Sequence, residues 1–200
     1  MKKSILMAAA IFTLVSCGTA RMTMTEAEAS LINDSPEVMR VLSIDDEEDL
    51  IVLRSTSSEF STSDLRTPEY ELLADKLVKT LASCEGGVGL AAPQIGLNRR
   101  VVAVQRVDKE GQPVEVYANI WIEEVRGEKE PGGEGCLSVP DKRGDVLRYR
   151  DITIRYTDVK NDLPGHPEEV REDISGFAAV IFQHEVDHLE GVLFIDKLKQ

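Results

Sequence analysis

The nine residues Gln183-His184-Glu185-Val186-Asp187-His188-Leu189-Glu190-Gly191 decide the expected fold. Histidines four positions apart lie on one face of a helix, so both imidazoles can reach one cation with Glu185 beside them as a base. The surrounding stretch predicts an apolar, buried helix that opens at Asp173 or Ser175 and ends at Gly191. A lone histidine there would more often be a core residue. The paired spacing with an intervening glutamate favours a metal site.

A catalytic metal site needs a third protein ligand and an open position. Zinc proteases with this motif draw that ligand from downstream, but Phe194 stands where a metzincin has its third histidine. Upstream, Glu134-Gly135-Cys136-Leu137-Ser138 offers a thiol in a glycine-rich turn, and a thiolate is a good metal ligand. We therefore predict the ligand set Cys136, His184 and His188. A small buried hydrophobe is the competing interpretation of Cys136, and it is the one we adopt for Cys84.

The segment Gly87-Val88-Gly89-Leu90-Ala91-Ala92-Pro93-Gln94 is the third unusual stretch. It fits a loose dinucleotide fingerprint, but that fingerprint needs a preceding strand, and here a helix precedes it. No Gly-Lys-Ser/Thr follows, so the segment is not a phosphate-binding P-loop. We expect a tight loop whose backbone approaches a substrate and in which Gln94 presents its amide.

Together the three segments resemble, in order and spacing, the signature motifs of the peptide deformylase family. The resemblance covers about residues 38 to 198. It implies an α+β fold in which antiparallel β-sheets wrap around a central metal-binding helix. It also implies hydrolysis of N-formylmethionyl peptides with release of formate, and one divalent metal ion. Fe(II) is the expected metal, with Zn, Ni or Co as other possible occupants.

The resemblance also implies roles for single residues. Glu185 is the expected proton acceptor and donor, while the Gln94 amide and the Leu137 backbone N–H are the expected oxyanion donors. Arg143 and Arg148 are expected near the substrate entrance, although a surface or ion-pair role fits them equally well. The expected substrate-binding residues are Gly89, Val88, Glu134, Phe177, Val180, Ile181 and Arg143.

Two positions depart from the family pattern. Gly132 and Gly133 precede Glu134 where a bulkier residue is often found, and Asn119-Ile120 replaces a common Asn-Pro. These differences leave the selectivity for methionine open.

Composition limits the partners. The chain has 200 residues, with 36 acidic and 23 basic side chains and a formal net charge of −13. This length fits one globular domain with some additional chain. The negative charge repels polyanions, so we expect no nucleic-acid partner. We expect a monomer.

The N-terminus has the order of an export signal. Lys2 and Lys3 precede an apolar run, residues 5–15, that is too short to span a membrane comfortably. Leu14-Val15-Ser16-Cys17 resembles the bacterial lipobox, whose cysteine is lipidated after cleavage. We therefore expect a signal peptide over residues 1–16, a flexible tether over 17–37 and a catalytic domain over 38–200.

This address places the protein outside the cytoplasm as a membrane-anchored lipoprotein. Alternatively, Cys17 is incidental, or Met22 or Met39 is the true start and the protein is cytoplasmic. Deformylases act on nascent chains, so an exported member would act on exported or environmental formyl peptides. A non-catalytic or altered-specificity formyl-peptide-binding lipoprotein is the rival interpretation, and Glu185 favours turnover over it.

Secondary structure follows from local patterns. Thr67-Pro68-Glu69 starts a helix predicted over 68–83, with apolar residues at helical spacing. The acidic run Asp45 to Asp49 is expected to be a solvated loop. Strands are predicted over Val101–Val107, Val114–Tyr117, Ile120–Val125 and Ile152–Tyr156 in a mostly antiparallel sheet.

Overall fold

The computed structural model describes residues 21–159 and 167–199. The predicted signal peptide (1–16) and Cys17 lie outside these residues. No helix in the described part of the chain is long and apolar enough to cross a membrane. The helices are α1 (Glu26–Asp34), α2 (Glu47–Leu53), α3 (Pro68–Ser83) and α4 (Gly176–Leu189), and the strands are β1 (Gly89–Ala91), β2 (Val101–Gln105), β3 (Val114–Cys136), β4 (Val139–Asp158) and β5 (Glu168–Ser175).

The five strands form one sheet in the order β1-β2-β3-β4-β5, and all neighbours are antiparallel. This confirms the expected α+β class. The two strands predicted over Val114–Tyr117 and Ile120–Val125 are one continuous strand that runs on to Cys136. Asn119 has a positive φ of 51° there, and the pairing with β4 shifts register around it. The interruption in the pattern is therefore a bulge inside a strand.

Helix α3 confirms the predicted range. The Thr67 side chain accepts a hydrogen bond from the Tyr70 N–H, and Pro68 occupies the first turn, where its missing N–H costs nothing. Leu73, Leu77 and Leu81 lie on one face and are buried against the sheet. Burying such side chains stabilises the fold by roughly 1.5–3 kcal/mol each.

Helix α4 lies across the other side of the sheet and is buried along most of its length. Ser175 precedes its first residue, and Gly191, with a φ of 69°, follows its end, as predicted. Phe182 packs edge-on against Tyr117, with ring centroids 4.9 Å apart. The candidate site residues of α4, His184, Glu185 and His188, lie outside this apolar cluster.

The expected flexible tether over 17–37 is wrong for residues 21–37, which are folded onto the domain. Helix α1 begins at a capping box formed by Thr25 and Glu28, and Ile32 is buried in the core beside α3. Arg99, itself buried, donates to both carboxylate oxygens of Glu28, at 2.6 and 2.7 Å. The segment looked unstructured because its pattern is short, and its docking depends on partners far away in the sequence.

The expected solvated loop over Asp45 to Asp49 is also wrong. Its residues open α2, where the Asp46 side chain accepts from the N–H groups of Glu48 and Asp49. Carboxylates at a helix N-terminus are favoured by the exposed N–H groups and the helix dipole. Asp49 is buried and bound by both terminal nitrogens of Arg40, at 2.6 and 2.7 Å.

Candidate active site

The three predicted metal ligands come together between the end of β3 and helix α4. One ligand atom from each of Cys136, His184 and His188 lies within 4.8 Å of the others, and the Cys136 Sγ is 3.2 Å from the His188 Nε2. Tetrahedral sites of thiolate and imidazole ligands have metal–ligand bonds of about 2.0–2.3 Å, which this spacing accommodates with small adjustments. The donor set fits one divalent metal ion.

The charges around the ligands favour a cation. Burial lowers the pKa of His184, but its hydrogen bonds with Cys136 and Glu134 outweigh this and raise the pKa to about 10. Burial, together with the neighbouring His184, holds the pKa of His188 well below its usual value. Without metal, the site therefore holds a proton on His184 and keeps His188 neutral. A metal ion would take the place of that proton, because an imidazole binds metal in its neutral form.

Glu134 orients His184. Its Oε2 lies 2.9 Å from the His184 Nδ1, and its two oxygens accept from Arg148 at 2.8 and 3.0 Å. Burial raises the Glu134 pKa, but the hydrogen bonds from His184 and Arg148 lower it overall to about 2. The carboxylate is thus ionised and holds the imidazole ring by its Nδ1, which leaves Nε2 as the nitrogen that would bind the metal.

These contacts bear on two predictions. Glu134 borders the cleft, as expected of a substrate-binding residue, and its carboxylate is bound to His184 and Arg148. Its contact with substrate stays a prediction. Arg148 is 4% exposed and paired with Glu134 and Asp187, so it is not at the substrate entrance. The ion-pair alternative for Arg148 is the one the structure shows.

Glu185 stands beside the ligands as a buried carboxylate. It is 3% exposed, and its Oε2 has no hydrogen-bond partner among the described residues. Burial raises its pKa to about 7, which suits a group that accepts and returns a proton near neutral pH. An added methyl group on Gly89 would overlap this carboxylate, so the glycine is required by the close approach of β1.

Gln94 is held in one orientation. Its Oε1 accepts from the Ala91 N–H at 2.8 Å, which directs its Nε2 towards Ser138 Oγ at 3.1 Å and Cys136 Sγ at 3.7 Å. Leu137 and Ser138 form the turn that joins β3 to β4. The amide of Gln94 and the backbone of Leu137 therefore border the metal ligands, as predicted. Ser138, which fixes the Gln94 amide, was not predicted.

A cleft of about 740 Å³ opens in front of these groups. Gly89, Gln94, Leu137 and Glu185 border it, and so does Arg143 on the rim. The predicted apolar residues form part of its wall: Val88, Phe177, Val180 and Ile181. Val180 and Ile181 are buried, whereas Phe177 is 53% exposed, so the wall includes a solvent-facing aromatic ring.

Strand β1 presents an open edge to the cleft. It lies at the end of the strand order, and among residues 21–159 and 167–199 its one partner strand is β2. The Gln105 N–H donates to the Val88 C=O at 2.8 Å, and Gly89 is opposite Val104. Hydrogen-bonded pairs alternate along an antiparallel ladder, so the N–H and C=O of Gly89 point away from β2. A peptide can therefore add to this edge as a further strand.

Phe194 settles the question of the downstream ligand. Its ring stacks on the His184 ring, with centroids 6.2 Å apart and an interplanar angle of 26°. A metzincin has its third metal-binding histidine at this position of the sequence. Here the position holds a phenylalanine that packs against His184. The fold and the site together define a metal-centre hydrolase with a Cys/His/His ligand set, one carboxylate and one amide donor.

Comparisons with known proteins agree with this class. The family model described as polypeptide deformylase matches residues 38–200. The peptide deformylase of Desulforudis audaxviator (strain MP104C) is 44% identical over 131 residues, which cover 66% of this chain and 79% of that protein. The peptide deformylase of Leptospira biflexa (strain Patoc 1 / Ames) is 35% identical over 158 residues, which cover 74% of this chain and 83% of that protein.

Solved structures give the same answer. A crystal structure of peptide deformylase from Thermotoga maritima has a TM-score of 0.68 at 30% identity and covers 82% of this chain and 99% of its own. The Met-Ala-Ser-bound class I type b peptide deformylase from Acinetobacter baumannii has a TM-score of 0.68 at 33% identity, with 80% and 98% covered. The chain belongs to the polypeptide deformylase family and is an enzyme of that class.

Proposed function

We propose that this enzyme removes the formyl group from N-formylmethionyl peptides and releases formate and a free α-amino group. The observation that carries the proposal is the buried Glu185 carboxylate beside three convergent candidate metal ligands in one cleft. Its Oε2 has no hydrogen-bond partner in the part of the chain that the structure describes. A non-catalytic binding protein would have no need of an unpaired buried carboxylate, which is costly to keep.

Cys136, His184 and His188 would hold one divalent ion, with Fe(II) as the expected metal and Zn, Ni or Co as alternatives. When bound, such an ion acts as a Lewis acid that makes a water molecule nucleophilic near neutral pH. Iron and zinc both accept thiolate and imidazole ligands, so the donor set fits each of them.

Glu185 moves the protons. Its Oε2 takes a proton from the attacking water and later gives it to the amine that leaves the formyl carbon, so the carboxylate ends as it began. The Gln94 Nε2 and the Leu137 N–H donate to the oxygen that becomes negatively charged in between. Because the Oε1 of Gln94 is fixed by Ala91, its donor is oriented before the reaction starts.

The substrate peptide pairs through its backbone with the free edge of β1 at Gly89. Its methionine side chain lies against the apolar wall formed by Val88, Phe177, Val180 and Ile181. Arg143 on the rim binds carbonyl or carboxylate groups further along the peptide. These contacts place the formyl group next to Glu185 and Gln94.

We also propose that the protein is a monomeric lipoprotein outside the cytoplasm, anchored through Cys17, and that it acts on exported or environmental formyl peptides. Arg21 is the first residue that the structure describes, and four Cα–Cα steps, which span at most about 14 Å, separate Cys17 from it. The domain would therefore stay close to the membrane surface. A start at Met39 would remove Ile32 from the core, which disfavours that alternative.

Two experiments test these proposals. Residues 18–200, loaded anaerobically with Fe(II) or Zn(II), are expected to release formate from formyl-Met-Ala-Ser. Glu185→Ala should abolish release with metal content unchanged, whereas Glu128→Gln, on the exposed part of β3, should retain it. Metal binding without turnover would instead support the binding-protein interpretation. Fractionation of cells that found all of the protein in the cytosol would rule out the lipoprotein location.

A further inference from the structure

The C-terminal 3-10 helix Phe194–Lys197 returns to the metal-bearing helix α4. The Lys197 Nζ lies 2.6 and 2.7 Å from the two oxygens of Asp187, one residue before the ligand His188. Asp187 is largely buried, with 16% of its side chain exposed, while Lys197 is 41% exposed. This lysine is thus the solvent-exposed end of a series of ion pairs and hydrogen bonds that leads into the protein.

The contact continues through three ion pairs or hydrogen bonds. The second oxygen of Asp187 accepts from Arg148 Nη1, and Arg148 donates to both oxygens of Glu134. Glu134 then binds the His184 Nδ1 at 2.9 Å. From the surface inward the groups alternate in charge: ammonium, carboxylate, guanidinium, carboxylate and imidazole N–H.

Arg148 is therefore shared between two carboxylates, and their balance decides how firmly it holds Glu134. With Lys197 present, part of the negative charge of Asp187 is already neutralised. Without it, Asp187 would attract Arg148 more strongly and draw its guanidinium away from Glu134. The imidazole of His184 would then lose part of the hydrogen bond that fixes its orientation.

We propose that Lys197 is a positioning residue for the metal ligand His184, acting through Asp187, Arg148 and Glu134. This rests on the proposed metal site. An ordinary surface lysine pair contributes little, but this one binds both oxygens of a largely buried carboxylate whose other partner is buried. Phe194, in the same 3-10 helix, stacks on the His184 ring, so the segment supports that ligand from two directions.

The test measures Zn(II) affinity of the full chain by competition with a chelator of known affinity at about 0.15 M salt. Groups that touch a metal ligand typically change affinity by 10–100-fold. Lys197 is four contacts away from His184, so Lys197→Met should weaken binding by less, roughly 3–10-fold. Lys197→Arg should retain the wild-type affinity. Lys199→Met is the matched control, since it removes a nearby ammonium that has no ion pair within the described residues, and it should leave binding within about twofold.

A double-mutant cycle separates positioning from a general charge effect. In an Asp187→Asn background, Lys197→Met should have almost no further effect, because the contact through which it acts is gone. Equal effects of Lys197→Met in both backgrounds, or an affinity equal to that of Lys199→Met, would overturn the proposal. Wild-type protein that binds no Zn(II) would instead overturn the metal site, and the proposal with it. Circular dichroism of each variant confirms that the fold is kept.

Discussion

Helix α1 packs against α3 and helix α4 packs against the sheet, and the two helices are held by different forces. Ten of the fourteen residues of α4 are buried, most of them apolar, so its position follows from packing. Of the nine residues of α1, Ile32 is the one buried side chain. Its position depends on polar contacts: Arg99 binds Glu28, and the buried Lys76 donates to the carbonyls of Ile32 and Ser35. The difference teaches that a helix can belong to a core without an apolar face of its own.

The largest expected effect is the loss of activity when the Glu185 carboxylate of α4 is removed. Glu185→Gln keeps the shape of the side chain but cannot accept a proton, so kcat/KM for formyl-Met-Ala-Ser should fall about 10²–10⁴-fold. The fold and the metal content should be unchanged. Glu128→Gln serves as the control. If Glu185→Gln kept more than a tenth of the wild-type activity, another group would have to move the proton.

The next effect breaks the polar docking of α1. Arg99→Met removes the buried guanidinium that donates to Glu28 and to the carbonyls of Met22, Thr23 and Glu59, so the free energy of unfolding should fall by about 3 kcal/mol. Urea denaturation measures it. Arg150→Met, which removes a partly exposed pair with Glu130, should cost less than about 1 kcal/mol. Equal losses in the two variants would mean that α1 is not held by this arginine.

A smaller effect measures the apolar part of the same docking. Ile32→Ala removes the one buried side chain of α1 and should lower the free energy of unfolding by about 2–3 kcal/mol. Ile51→Ala on α2 is the matched control, because Ile51 is 69% exposed. Formate release per folded molecule should be unchanged in both. A loss as small as that of the control would place α1 away from the core in solution.

The smallest expected effect is the pH dependence that Glu185 in α4 gives to the stability of the fold. In metal-free protein, burial raises the pKa of Glu185 from 4.5 to about 7, so the folded state holds that proton more tightly than the unfolded state. The resulting penalty on stability is absent below about pH 4.5, grows between 4.5 and 7, and is complete above 7. The free energy of unfolding of Glu185→Gln minus that of wild type should therefore be larger at pH 8 than at pH 4.5, by on the order of 2 kcal/mol. A difference that does not change with pH would contradict this.

Glu28 in α1 titrates in the opposite direction. Burial raises its pKa, but the Arg99 and Thr25 contacts lower it overall below the ordinary value. Its contribution to stability is present above the unfolded pKa and is lost as the pH falls through the folded pKa. Acid therefore removes a stabilising contribution of Glu28 in α1 and a destabilising contribution of Glu185 in α4.

Most of the active site could be predicted from local spacing. The i, i+4 histidines, the glutamate between them, and the two glycine-rich segments named His184, His188, Glu185, Cys136 and Gln94, and the structure brings all five together. Helix 68–83 was predicted for the same reason, since its cap and its apolar period are local. Their assigned roles in catalysis and substrate binding remain predictions for the experiments above.

The predictions failed where a residue's environment comes from distant parts of the chain. Arg148 carries no local sign that it pairs with Glu134 and Asp187, and neither the bulge at Asn119 nor the docking of residues 21–37 follows from a short pattern. Ser138 and Lys197 were missed because their partners, Gln94 and Asp187, are decided by how β3, α4 and the C-terminal segment pack.

The sequence by itself determined the family and which cysteine, histidines and glutamate come together at the cleft, because spacing along a helix or within a turn fixes which side chains can meet. The tertiary structure alone decided which charged residues are buried supports and that the N-terminal segment is part of the domain. A charged side chain can be buried only where a partner lies within hydrogen-bond distance. That partner is set by the packing of distant segments.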